Sequence, residues 1–368
     1  MGWYSETGEM GNLKVGLRMK GKSKKQKSRN TKKQKYIKLA ITLSIVIVII
    51  LFCNFQNKHL ETTHYTYAAE QLGVDLDGYR IVQISDLHNA KFGKNNQKLV
   101  DRIRECAPDM IALTGDLVDS NHTDVDRAVQ FVDEIVKICP VYYVTGNHEY
   151  WLEKSEYDEL MDGLIGAGVV ILDDQVVEIS RGDAKFRLVG LDDRSLSDGT
   201  LEALLSDESI RNDQGEQQEE IADNDKIQAV VQEDFGGKLQ NEAHEGSEDK
   251  VQNEAHEGPE EKIQDAVKAD SEGNELTVVL AHEPQYLARY ALAGVDLVLS
   301  GHAHGGQFRL PFVGGIVAPD QGFFPEYTAG EYYMNGTEMI VSRGLGNSVI
   351  PVRLFNYPEI VCVELKTK

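Results

Sequence analysis

Five short clusters along the 368-residue chain gather side chains that bind metal ions or move protons. They are SDLH, with Asp86 and His88; GDLVD, with Asp116 and Asp119; GNHE, with Asn147, His148 and Glu149; AHEP, with His282; and GHAH, with His302 and His304. Taken singly, each reads as a turn, because Gly, Asn and Asp favour chain reversals. Taken together, they hold five of the chain's ten histidines. Carboxylates, an amide oxygen and imidazoles without a thiolate suit ions of borderline hardness such as Mn, Fe or Zn, and argue against a structural zinc. The set exceeds the needs of one ion, and a carboxylate can bridge two. Two neighbouring ions can grip the attacking and leaving oxygens of a phosphoryl displacement.

Each cluster follows a β-rich run: YRIVQIS (79–85), DMIALTG (109–115), VYYVTG (141–146), ELTVVLA (275–281) and VDLVLSG (295–301). Further strands are expected at 185–191, 338–344 and 359–365. Between the first runs, Leu99, Ile103 and Cys106 recur at helical spacing, as do Val129, Val132, Ile135 and Val136. Strands alternating with helices predict an α/β domain. In such a sheet the carboxyl ends of strands converge on one edge, where ligands bind. Alternation along an extended segment would put His302 and His304 on one side.

The formal net charge of -22 is unevenly spread. Residues 14–38 are strongly basic and contain no acid, whereas residues 205–275 carry 22 acids against 6 bases. The acidic balance therefore belongs to an insert, placed at about 196–274, with a twelve-residue repeat (KLQNEAHEGSED at 238–249, KVQNEAHEGPEE at 250–261). Twelve residues at helical pitch build no apolar stripe, so a disordered surface insert is expected, with His244 and His256 solvated. Cys53, Cys106, Cys139 and Cys362 show no CxxC spacing, which argues against a disulfide framework. Residues 39–55, LAITLSIVIVIILFCNF, are uncharged and aliphatic, the short end of a membrane span. After the basic segment 1–38 they read as an uncleaved signal anchor. The Lys/Arg block holds the N-terminal end in the cytoplasm and faces anionic lipid. That makes a single-pass cell-membrane protein with an extracytoplasmic domain at 76–368, reached through a spacer at 56–75.

Asp-x-His, Gly-Asp-x-x-Asp, Gly-Asn-His-Glu, His and Gly-His-x-His, in this order, resemble the signature of the calcineurin-like metallophosphoesterases, over residues 79–366 apart from the insert. The tail SRGLGNSVIPVRLFNYPEI, with the anchor, is similar to the membrane-anchored bacterial YkuE/YaeI-like branch. The resemblance implies a four-layer αββα sandwich of two mixed β-sheets and a centre of two divalent or trivalent metal ions. Carried over, Asp86, His88, Asp116 and His304 would hold one ion. Asp116, Asn147, His282 and His302 would hold the other, with Asp116 bridging. His148 would act on the phosphate as a catalytic residue beside Asn147, with Asp119 as its orienting carboxylate. A metal-bound hydroxide would attack a phosphomono- or phosphodiester. A lipid-linked phosphoester is the favoured substrate, because the spacer keeps the site near the membrane. The same site would serve a nuclease, although an anchored domain beside an acidic insert is poorly placed for DNA. A membrane-tethered binding module with a relict site is the remaining alternative. No segment points to an obligate protein partner.

Overall fold

The computed structural model describes residues 9–195, 199–206 and 275–368, with side chains from residue 32 onward. It divides into two units, Met1–Asn57 and Lys58–Lys368. The first is one helix, α1 (Glu9–Lys58), which carries the basic segment into the apolar run without a break. Lys, Arg and Gln are good helix formers, and no proline interrupts them. Within it Lys32–Lys58 is long and apolar enough to cross a membrane by length and composition. Its Leu, Ile and Val side chains are exposed.

In chain order the second unit contains β1 (Glu61–Ala69), β2 (Arg80–Ile84), α2 (Gln97–Glu105), β3 (Met110–Thr114), α3 (Val125–Ile135), β4 (Val141–Val144), α4 (Asn147–Tyr150), α5 (Lys154–Ala167), β5 (Val170–Ile171), β6 (Gln175–Arg181), β7 (Ala184–Gly190), α6 (Thr200–Ser206), β8 (Thr277–Leu280), α7 (Leu287–Leu292) and β9 (Leu297–Ser300). Four two-residue strands follow, β10 (Arg309–Leu310), β11 (Gly314–Gly315), β12 (Val317–Ala318) and β13 (Gly322–Phe323), then β14 (Gly330–Met334), β15 (Thr337–Val341) and β16 (Glu359–Thr367). Two mixed six-stranded sheets result, ordered β1-β16-β2-β3-β4-β5 and β14-β15-β9-β8-β7-β6. Strands β2 to β5 run parallel in the first, and β7, β8, β9 and β15 run parallel in the second.

Strand alternation sorts the apolar side chains into layers. Met110 and Ala112 of β3 face one core, while Ile111 and Leu113 face another. On β8, Val278 and Leu280 join the core of Met110, and Val279 points the other way. The shared core, with Ile81 and Val361 from one sheet and Phe186 and Leu299 from the other, lies between the sheets. α2, α3 and α5 cover the outer face of the first sheet, and α6 and α7 that of the second. This is the expected four-layer αββα sandwich. Both faces of each sheet are covered, which is why strands such as VVL read as continuous apolar runs.

Two boundaries differ from expectation. Residues 61–69, placed in a spacer, form edge strand β1, which pairs in parallel with β16 along its length. ETTHYTYAA shows no apolar alternation because half an edge strand faces water, yet its Thr and Tyr favour extended backbone. Part of the expected insert is ordered too: α6 buries Leu201 in the core under the second sheet, and Glu202 pairs with Arg289. The twelve-residue repeats, with His244 and His256, lie outside the described residues.

Phe186 is fully buried between the sheets, edge-on to Tyr79 at 5.6 Å. Phe186→Ala should cost about 3–5 kcal/mol of unfolding free energy. A chemical-denaturation loss below about 1 kcal/mol would contradict the two-sheet packing.

Candidate metal centre

The five clusters sit just beyond the carboxyl ends of β2, β3, β4, β8 and β9. The two sheet edges are stitched together directly. Gln83 Nε2 donates to Thr114 Oγ1 at 3.0 Å and to the Ser300 carbonyl at 2.9 Å. The Asp86 carboxylate accepts from His302 N at 3.1 and 3.2 Å. Gly301 is required at this seam, since a Cβ there would meet Ser85 Oγ at 1.8 Å. The chain turns sharply to aim the side chains inward. Asp86, His88, Asp116, His302 and His304 all take positive φ, between 44° and 64°. Non-glycine residues in this region are strained, and such strain collects at functional sites.

That turn overrules one expectation. His302 and His304 do not alternate along an extended segment; the left-handed residues send them to different partners. His304 Nε2 lies 3.2 Å from His88 Nε2 and 3.4 Å from Asp86 Oδ1. His302 Nδ1 lies 3.1 Å from His282 Nε2. Asp86, His88, Asp116 and His304 form one group, and Asp116, His282 and His302 a second, each with donor atoms within 4.8 Å of one another. All are buried. Asp116 Oδ2 stands between the groups, 3.4 Å from His88 Nε2 and 3.3 Å from His282 Nε2.

The hydrogen bonds behind the rings show that these positions fit cations. The His282 Nδ1–H donates to the Thr114 carbonyl at 2.8 Å, which leaves Nε2 to face the group. His302 Nε2 meets Asp320 Oδ2 at 2.8 Å, so its proton belongs there and the Nδ1 lone pair points at His282. In their neutral forms two imidazole lone pairs then oppose each other, which a shared cation reconciles. The amide oxygen of Asn147 is buried with no protein partner, as a ligand oxygen would be. Burial pushes His88 down to about 3 and, with the Arg353 guanidinium, holds His304 well below its usual value, so both are in the neutral, ligating form. For His282 burial acts downward, but Asp116 outweighs it and the net shift is upward. Positive charge is wanted beside Asp116, and a proton and a metal ion compete to supply it.

Several residues contribute roles that the motifs did not assign. The Glu149 carboxylate, fully buried, accepts from four backbone N–H groups: Asp116 at 2.9 Å, Gly146 at 2.8 Å, Leu117 at 2.8 Å and Val118 at 3.3 Å. It thereby locks the β3 and β4 turns together. Burial and the Asp116 charge push Glu149 up to about 8, against those donors. Arg353, also fully buried, donates to the carbonyls of Gly346 and Arg343. This bends the tail so that Ser348 Oγ reaches His148 Nε2 at 3.0 Å. The carboxylate expected to orient His148, that of Asp119, stands near it without being its nearest partner. Its Oδ1 is 3.7 Å from His148 Nδ1, whereas the Ser120 N–H donates to that nitrogen at 3.1 Å. Asp119 Oδ1 instead accepts from Asn121 N, bracing the loop.

A family model described as calcineurin-like phosphoesterase matches residues 79–306, most of the chain. The chain belongs to that family. This phosphoesterase is 26% identical over 318 residues to an uncharacterized metallophosphoesterase of Bacillus subtilis, YkuE, across 84% of this chain and 86% of the relative. It is also 26% identical to a zebrafish (Danio rerio) transmembrane protein with metallophosphoesterase domain, covering 81% of this chain and 55% of that protein. Among solved structures, a dimetal phosphatase from Danio rerio aligns with a TM-score of 0.36 at 15% identity, over 73% of this chain and 88% of that one. Members of the family are metal-dependent phosphoester hydrolases that typically hold two divalent ions.

If Glu149 is the clamp, Glu149→Gln should destabilise this phosphoesterase by about 2–4 kcal/mol, because an amide NH2 must oppose backbone donors. Metal analysis of the same variant should show substoichiometric loading. Wild-type stability with full loading would contradict the role.

Proposed function

We propose that the chain is a dimetal phosphoesterase with one ion held by Asp86, His88, Asp116 and His304 and the other by Asp116, Asn147, His282 and His302. The observation that supports this best is the placing of Asp116 Oδ2 between His88 Nε2 and His282 Nε2, one imidazole from each group. When bound, two ions of the Mn, Fe or Zn kind supply Lewis acidity toward phosphoryl oxygens and activate water near neutral pH.

The chain's own groups do the rest. Thr114 and Asp320 fix the tautomers of His282 and His302 by accepting their outer N–H groups. Ser120 N–H occupies the Nδ1 lone pair of His148, which leaves the ring proton on Nε2. That N–H, now against Ser348 Oγ, is placed to hydrogen-bond the leaving-group oxygen of a phosphoester and stabilise the charge that develops there. Asn147 orients a phosphate oxygen beside it. Asp119 supports the loop that carries Ser120.

The Lys/Arg block before the apolar run of α1 keeps that end cytoplasmic and sets the phosphoesterase domain outside the cell membrane. Only His59 and Leu60 separate α1 from β1, so the anchored domain works near a bilayer and membrane-borne phosphoesters are its favoured substrates.

Asp116→Asn should abolish both metal loading and hydrolysis of an aryl phosphodiester; turnover that survives complete metal removal would sink the mechanism. His148→Ala should lower kcat about 10²–10³-fold on an alkyl ester and far less on a nitrophenyl ester, whose leaving oxygen needs little stabilisation. Equal losses on both would rule out a role at the leaving group. A reporter active only in the cytoplasm, fused after Lys368, should be silent.

A further inference from the structure

The chain after the histidine pair runs against ordinary hairpin chemistry. β10 and β11 pair through Arg309↔Gly315 and Leu310↔Gly314, so Pro311, Phe312 and Val313 form a tip. Such tips usually carry Gly, Asn or Asp, which hydrate well and accept positive φ. Here Leu310 to Val313 are four successive exposed, uncharged residues, and Phe312 is fully exposed. The next hairpin, β12–β13, leaves Phe323 and Phe324 77% and 70% exposed. The Phe324 N–H donates to the Ile316 carbonyl, and the Ile316 N–H to those of Gly306 and Phe308, so the bases of both hairpins, Phe324 among them, are tied to the turn that carries His304. Phe312 and Phe324 also sit at φ 67° and 56°, where bulky side chains are disfavoured. The hairpin hydrogen bonds hold that backbone in place, whereas the exposed apolar surface is a cost that only a partner outside the fold removes.

The location narrows the partner. Asp320 lies in the tip of the second hairpin, between Ala318 and Gly322, and its Oδ2 touches His302 Nε2 at 2.8 Å, so these hairpins border the donor groups. Residues 310–330 contain no Lys or Arg, and carry Asp320 and Glu326. A polyanion such as a nucleic acid is therefore not what this rim attracts. The same chain carries an apolar span at Lys32–Lys58, two residues before β1, so a bilayer is always at hand.

We propose that the tip Leu310–Val313 and the exposed pair Phe323–Phe324 insert into the acyl edge of that bilayer. The substrate is a phosphoester carried on a lipid, whose headgroup enters beside Asp320. The insertion stands on these exposed residues; the substrate's chemistry rests on the phosphoesterase reading above.

The full chain carrying Phe312→Trp, reconstituted in phosphatidylcholine vesicles, tests the insertion. Its added emission, over the background of Trp3 and Trp151, should be strongly quenched by lipids brominated along the acyl chain. The double variant Phe312→Ser/Phe324→Ser should lose about tenfold in kcat/KM on a lipid phosphoester in those vesicles, the scale of one or two aromatic side chains withdrawn from apolar surroundings. Its hydrolysis of a soluble aryl phosphodiester should be unchanged. Unquenched emission would overturn the inference, as would crosslinking at position 312 between copies of the chain, or equal losses on both substrates. Quenching without hydrolysis of any phosphoester would instead leave the insertion standing and remove the phosphoesterase reading.

Discussion

The geometry of this protein hangs on one buried carboxylate. Asp116 sits at the end of β3 with one oxygen between imidazoles of two groups and the other accepting from His148 N at 2.9 Å. An ionised carboxylate in such a place needs compensation, because desolvation disfavours its charge strongly. His282, itself shifted upward, supplies it within the protein, and its pull holds Asp116 well below the usual carboxylate range despite burial. Everything around it follows from keeping positive charge close and water out.

A second carboxylate makes that arrangement rigid. Glu149 gathers four backbone N–H groups from two turns, so the β3 and β4 loops cannot part without leaving buried donors unpaired. The left-handed backbone at five candidate ligands adds strain that this network and the buried Arg353 must hold in check. The two sheets contribute by bringing their strand ends side by side through Gln83 and His282, across a core that anchors both.

Much of the fold and site was readable in advance, and the failures have definite causes. Runs such as IALT and VVL are apolar on both faces, so buried strands announced themselves. β1 did not, because a polar edge strand is defined by its partner, β16, nearly three hundred residues away. The ligand candidates stood out because chemistry restricts their types. Ser120, Asp320, Ser348 and Arg353 did not, since a hydroxyl, a backbone N–H or a lone arginine marks nothing until the fold places it. Asp119 was given the ring of His148 by resemblance, and a neighbouring N–H lies nearer.

By itself the sequence determined which side chains can hold cations, the strand-helix alternation that carries them to sheet edges, and the family to which the chain belongs. Those are properties of residue type and order. Tertiary structure decided which tautomer each imidazole adopts and that Glu149 locks two turns. It also decided that the phenylalanines after GHAH face outward. These depend on distances between atoms far apart in the chain and on left-handed turns that break simple alternation, and no local pattern encodes either.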